Sequence, residues 1–267
     1  YSGLFKLIKN LNNDKKIIII CYHKISQKKF KEQIFHLIKN RNVLVSMDYV
    51  YYIIKKGHKI DRDVFAITFD DGYYNNYEEC FPIIKRFKIP AMIYLVSNHV
   101  GKNKFFWWDK LRLVLENSVF ETIDLFDERF DISTRTSCKS TFLVLASRMK
   151  KMNVSDRDKA IENLSERLGF RNKITSDSKY RILNWKNVKE MQRHNVQFGS
   201  HTIHHANLPY ESKNCVTNEL VESKNEIEKK IGKEIHHFAY PNGDIDEKCT
   251  TSVRKAGYRT AVTMRYG

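Results

Sequence analysis

The chain has 267 residues, 42% of them hydrophobic, enough to bury one large core or two smaller ones; ten Gly and four Pro argue against a fibrous or disordered class. Its 47 Lys and Arg against 31 Asp and Glu leave a formal net charge of +16, which favours anionic partners such as a membrane surface, a nucleic acid or a phosphorylated substrate. No RNP-type stretch, zinc-finger spacing or heptad-linked basic region is present, so no nucleic acid partner is expected.

Ser2 to Leu11 sets Leu4, Phe5, Leu7, Ile8 and Leu11 on one helical face, suited to lying on a membrane or to packing on its own domain. Ile17 to His23 reads as a fully buried strand of the parallel-sheet kind, with His23 at its end. Phe30 to Asn40 predicts a helix, Val43 to Val45 a short strand, and Tyr49 to Lys56 a helix capped by Gly57. Val64 to Phe69 is a strand that runs into Asp70-Asp71-Gly72. Tyr77 to Phe87 is helical and Ala91 to Val96 is another buried strand, so the spacing argues for α/β units around a parallel sheet or barrel.

From Lys104 to about Tyr180 the β signal fades. Helical segments are expected from Phe105 through Leu115, over Phe142 to Met149 and over Asp156 to Leu168. We read 104–184 as a mostly helical insertion in a single domain spanning 1–267. Its Trp107-Trp108 pair either lines a sugar site or anchors the insert's own core. Helices then follow at Trp185 to His194, Glu219 to Ile231 and up to Gly257, with strands at Val196 to Ser200, His237 to Tyr240 and Thr260 to Met264.

Two stretches carry chemistry. Asp70 and Asp71 are adjacent carboxylates that repel unless a cation or hydrogen bonds offset them. A metal on one, with the other left as a base, is one answer; capping the next helix is the other. His201, His204 and His205 follow a strand end within five residues. His201 and His205, four apart, come to one side if that turn is helical, and His204 is open as a replacement for either. Two imidazoles and one carboxylate suit Zn²⁺, Fe²⁺, Co²⁺ or Ni²⁺ and leave positions open for water and substrate. In parallel α/β architectures the C-terminal strand ends share one face, so Asp71, His201 and His205 are expected to meet there, with His23 and Tyr240 nearby.

Thr68-Phe69-Asp70-Asp71-Gly72, His201-Thr202-Ile203-His204-His205 and Phe238 to Gly243 occur in the order seen in polysaccharide deacetylases, the NodB-homology enzymes of carbohydrate esterase family 4. Tyr22-His23 and Gly257-Tyr258 also resemble that family. The resemblance implies an α/β fold, a distorted, TIM-like (β/α) barrel of about seven strands. It implies a bacterial hydrolase of the cell envelope that removes N-acetyl groups from amino sugars of a polysaccharide, oligosaccharide or lipid-linked precursor. It further implies a divalent metal, zinc first, held by Asp71, His201 and His205, with Asp70 as general base and the Tyr240 backbone N–H as oxyanion donor. His23, Trp107, Trp108 and Asn242 are the candidate substrate-binding residues. Many members carry an Arg where Ala239 stands. The family's last motif, which supplies a general acid, is expected after the final strand, where the sequence stops at Gly267; either the sequence is a truncated piece or the acid comes from elsewhere, with His23 the candidate substitute. A deformylase on a lipid-linked sugar and a weakly catalytic carbohydrate-binding module are the competing readings.

The five scattered cysteines, Cys21, Cys80, Cys138, Cys215 and Cys249, form no CxxC and suit a reducing compartment. With no signal segment in view, a cytoplasmic location at the inner face of the membrane is expected. Each Lys or Arg near an anionic bilayer contributes about 1 kcal/mol, and salt screens it. The protein is therefore expected to sediment with anionic but not neutral vesicles, less so in high salt and less so as Phe5→Glu. Equal recovery in the supernatant with and without anionic vesicles would overturn the membrane reading.

Overall fold

The computed structural model describes residues 15–170 and 179–264. The apolar stripe of Leu4 to Leu11 lies outside the described residues. Among the described residues no helix is long and apolar enough to cross a membrane. The chain divides into two compact units: one built from the residues up to Lys102, Ile182–Pro209 and those from Lys213 on, the other from Asn103–Arg181 with Tyr210–Ser212.

The first unit opens with β1 (Ile17–Tyr22), α1 (Gln27–Lys39), β2 (Val43–Val45), α2 (Met47–Lys56) and β3 (Val64–Phe69). A π-turn at Asn76–Cys80 runs into α3 (Phe81–Phe87), and β4 (Ala91–Leu95) follows. Gly57 closes α2 at φ 61°, its N–H donating to Ile53 O. The second unit holds α4 (Trp107–Glu116), the strands β5 (Thr122–Leu125) and β6 (Glu128–Asp131), α5 (Arg135–Met149) and α6 (Val154–Arg167). The first unit resumes with α7 (Trp185–Gln192), β7 (Val196–Ser200), α8 (Lys213–Ile231), β8 (His237–Ala239), α9 (Glu247–Lys255) and β9 (Thr260–Val262).

The main sheet is a curled, parallel half-barrel in the order β1-β3-β4-β7-β8-β9. β2 adds to it by pairing with Val64–Ala66 of β3, while β4 takes Ile67–Phe69. The isoleucine run of β1 is buried along its whole length, as expected of a strand covered on both faces. Side chains alternate between the faces. Tyr22 and Phe69 meet Phe30 of α1 on one face, with ring centroids 5.6 and 5.7 Å from that of Phe30. Ile17, Ile19, Ala66, Met92, Tyr94 and Ala239 gather on the other with Met47, Val50 and Ile53 of α2. Asp70, two residues beyond Thr68 on that second alternation, ends a strand whose inner residues are already sealed.

In the second unit Trp107, Leu111, Val114, Leu145, Met149 and Ile161 form a cluster of their own. The β5–β6 hairpin is a departure from the helical expectation. Its turn residues Phe126 and Asp127 have φ of 55° and 60°. Such a two-residue turn normally announces itself by Asn-Gly or Asp-Gly, and Phe-Asp does not. Past Arg181 the chain rejoins the first unit, where Ile182 bridges to Tyr73 and the Leu183 N–H donates to Gly72 O at 2.9 Å.

Gly199 is a point of close approach. A Cβ there would come within 2.6 Å of His237 O and 2.7 Å of Tyr94 Cδ1. Gly199→Ala is expected to destabilise by about 1–3 kcal/mol, read as a lowered Tm in thermal unfolding; an unchanged Tm would show that β7 and β8 part freely there.

Candidate metal centre

The end of β3 places two carboxylates differently. The Asp70 N–H continues the ladder to Tyr22 O at 2.9 Å. Asp71 and Gly72 then turn the chain with φ of 74° and 77°. Gly72 is required twice over: an L side chain is strained at that φ, and a Cβ would meet Leu95 Cδ2 at 2.8 Å. Asp70 is 4% exposed and Asp71 1%.

The end of β7 brings the histidines. The His201 N–H donates to Leu95 O at 2.8 Å, and then the chain departs from any helix. Thr202 and His205 both take left-handed φ, 68° and 54°. For β-branched Thr202 this is strained backbone, which persists only where neighbours hold it. Thr202 O accepts from Ser97 N–H at 3.1 Å, and Thr202 Oγ1 accepts from Ala206 N–H at 3.0 Å. Glu219 of α8, 2% exposed, accepts from the Ile203 and His204 N–H groups at 2.8 and 3.0 Å. So the two rings meet through left-handed residues, where the sequence reading had supposed a helical turn.

The result is a buried trio. One ligand atom each of Asp71, His201 and His205 lies within 4.8 Å of the others. His201 Nε2 and His205 Nε2 stand 3.6 and 3.5 Å from Asp71 Oδ1. Ligands bound at about 2.05 Å around one tetrahedral ion sit roughly 3.3 Å apart, so the spacing fits. His201 Nδ1 is 2.8 Å from Ala239 O. A carbonyl only accepts, so Nδ1 donates and Nε2 is the ring atom that faces Asp71, the orientation a metal-binding imidazole needs.

His204 does not join the trio. Its Nδ1 is 2.6 Å from Glu219 Oε1, outside the cluster formed by the other two rings and Asp71. His23 Nε2 lies 4.0 Å from Asp71 Oδ2, with its side chain 37% exposed. The Asn76 side chain donates to His23 O at 2.8 Å, and Asn75 Oδ1 accepts from Ile25 N–H at 2.9 Å, tying that strand end to the turn after Gly72. Asp70 Oδ1 is buried without a hydrogen-bond partner. Burial pushes the neighbouring Cys21 thiol well up, with the charge of Asp70 and a hydrogen bond from the thiol to that carboxylate adding to it. Glu219, Asn75 and Asn76 were not singled out in the sequence; only their proximity in the fold marks them.

Two assignments are corrected. The Tyr240 N–H donates to Val262 O at 3.0 Å, so it belongs to the β8–β9 ladder and is not aimed at the trio. Its phenol is pushed up to about 12 by burial and stays neutral. Trp107 and Trp108 belong to the second unit's core: Trp107 is 6% exposed under the Arg157 guanidinium, 5.4 Å from its ring centroid, and Trp108 stacks on Phe106 at 4.5 Å. Trp107 therefore has no open face for a sugar. Asn242 sits half-buried in the turn Pro241–Gly243 at φ 59°.

A parallel half-barrel thus carries at its strand ends an Asp, His, His set that could hold one divalent cation. The sequence pattern of the polysaccharide deacetylase family matches residues 57–122 and 123–261, and the chain belongs to that family. A poly-β-1,6-N-acetyl-D-glucosamine N-deacetylase of Staphylococcus aureus is 35% identical over 83 residues, 31% of this chain and 28% of that protein, so the match spans less than a third of the relative. Two solved structures share the fold. A Streptococcus pyogenes deacetylase, PplD, in complex with acetate aligns with a TM-score of 0.60 at 16% identity, over 98% of this chain and 84% of that one. IcaB from Ammonifex degensii aligns with a TM-score of 0.61 at 15% identity, over 94% of this chain and 84% of the other.

Removing one of three ligands should strip the ion. After loading with Zn²⁺ and desalting, His201→Ala and His205→Ala are expected to lose bound metal by at least about tenfold while His204→Ala keeps it. Full occupancy in the first two variants would overturn the ligand set.

Proposed function

We propose that this chain removes N-acetyl groups from a glycan of N-acetylated amino sugars, a poly-N-acetylglucosamine being the substrate class that the Staphylococcus aureus relative supports. The observation that carries the reading is the sealed set of Asp71, His201 and His205 with the buried carboxylate of Asp70 next to it in the chain. A divalent cation held by Asp71, His201 and His205 would polarise the acetamide carbonyl and lower the pKa of a nearby water.

The chain's own groups do the rest. Asp70, buried beside the trio and no member of it, takes a proton from the attacking water as the general base. Ala239 O keeps His201 in one tautomer and one orientation through Nδ1. The departing amine needs a proton, because an amide anion is a poor leaving group. His23, on the Asp71 Oδ2 side and open to solvent over part of its ring, is the group we assign to deliver it. The net charge of +16 supports a further reading, action near an anionic membrane surface on a lipid-linked precursor or a polymer held there.

Acetate release from β-1,6-linked N-acetylglucosamine oligomers is the direct assay. Asp70→Asn is expected to keep the metal and lose turnover by about 10²–10⁴-fold, since an amide cannot accept the proton. Metal loss in Asp70→Asn, with activity surviving in Asp71→Asn, would reverse the two roles. Formate release from N-formylated but not acetate from N-acetylated oligomers would replace the deacetylase reading with a deformylase.

A further inference from the structure

Two buried polar atoms on the inner face of the sheet are unsatisfied. Asp70 Oδ1 and the Tyr94 hydroxyl are both shut off from solvent, and neither has a hydrogen-bond partner. Tyr94 is 0% exposed and Asp70 4%. Native structures leave few such groups unpaired, and each calls for a partner or a role.

The register makes these two neighbours. β3 and β4 pair in parallel as far as Phe69 with Ile93. The next step along both strands sets Asp70 beside Tyr94, on the face that also carries Thr68 and Met92. On the other side of β4, Tyr94 is in register with Gly199. A Cβ at Gly199 would crowd Cδ1 and Cε1 of the Tyr94 ring at 2.7 and 2.9 Å. The bare backbone there is what gives the ring its place on the inner face. Burial pushes the Tyr94 phenol well above its usual range, and the charges of Asp70 and Cys21 add to it. The phenol is therefore a standing O–H donor.

We propose that Tyr94 is a positioning residue for the base, its hydroxyl donating through one buried water to Asp70 Oδ1. A single internal water is the ordinary way in which two such groups are joined. The link fixes the rotation of the carboxylate, so that its orientation toward the attacking water is set before substrate arrives. This rests on the reading of Asp70 as the base.

The test has two readouts. A high-resolution crystal structure of the metal-loaded full chain is expected to show a water within hydrogen-bond distance of both Tyr94 Oη and Asp70 Oδ1, and Tyr94→Phe is expected to lose it. A dry gap, or Asp70 Oδ1 satisfied by another donor, overturns the proposal whether or not the protein deacetylates anything. In the acetate-release assay Tyr94→Phe, which keeps the ring, is expected to lower kcat about tenfold with KM and Tm unchanged. In an Asp70→Asn background the same change is expected to have no further effect on residual turnover. Equal losses in both backgrounds would show that the hydroxyl acts elsewhere and would overturn the proposal. Absence of turnover in the unmodified protein would sink the deacetylase reading and leave the water to decide this one.

Discussion

Two consecutive carboxylates sealed from solvent are the constraint around which the first unit is arranged. Asp70 and Asp71 sit at a buried strand end with 4% and 1% exposure. Burying one ionised carboxylate is expensive, and burying two side by side is more so. The surrounding structure answers each differently. Asp71 is turned by left-handed backbone toward two imidazole nitrogens, and Asp70 stays in line with its strand. This divergence sets Asp71 among the imidazoles and keeps Asp70 apart from them, the separation on which the proposed division into ligand and base rests. It depends on Gly72, because the turn that separates the two side chains needs both its φ and its missing Cβ.

The histidine loop shows how strain is held in place. Thr202 and His205 take backbone angles that their side chains disfavour. Thr202 is pinned from β4's continuation by Ser97, and the loop between them is drawn onto Glu219 of α8 by two N–H groups and one ring. A buried carboxylate on a helix thus does for this loop what backbone ladders do for the strands. His204, which by type and position looks equal to its neighbours, is occupied with holding the loop.

The strands and both site motifs were legible in the sequence because each follows a buried β-branched or apolar run and then breaks into polar residues. The meeting of Asp71, His201 and His205 was legible from the rule that parallel strand ends share a face. What was not legible depended on partners distant in sequence. Whether the Tyr240 N–H is available is decided by Val262, on a strand twenty-two residues later. Whether the Trp107 face is open is decided by Arg157 and the cluster beneath it. The β5–β6 hairpin was missed for a local reason, since Phe126 at φ 55° carries none of the chemistry by which such turns are recognised. His201 and His205 were rightly paired on a wrong supposition, the helical turn, because left-handed Thr and His are not readable from residue type.

The pairing of β4 with β7 has a kinetic side. Ala91 lies beside Val196, and the loop between them is about 105 residues long. The carboxylates are on one side of that gap in the chain and the imidazoles on the other. Closing a flexible loop of this length has a high entropic cost, and contacts so distant in sequence slow the search for the native state. The second unit occupies most of the gap and has a hydrophobic cluster of its own. Any early collapse of that cluster shortens the effective tether between the two halves of the site. An insertion with no residue among the three ligands can in this way set how fast those ligands find one another.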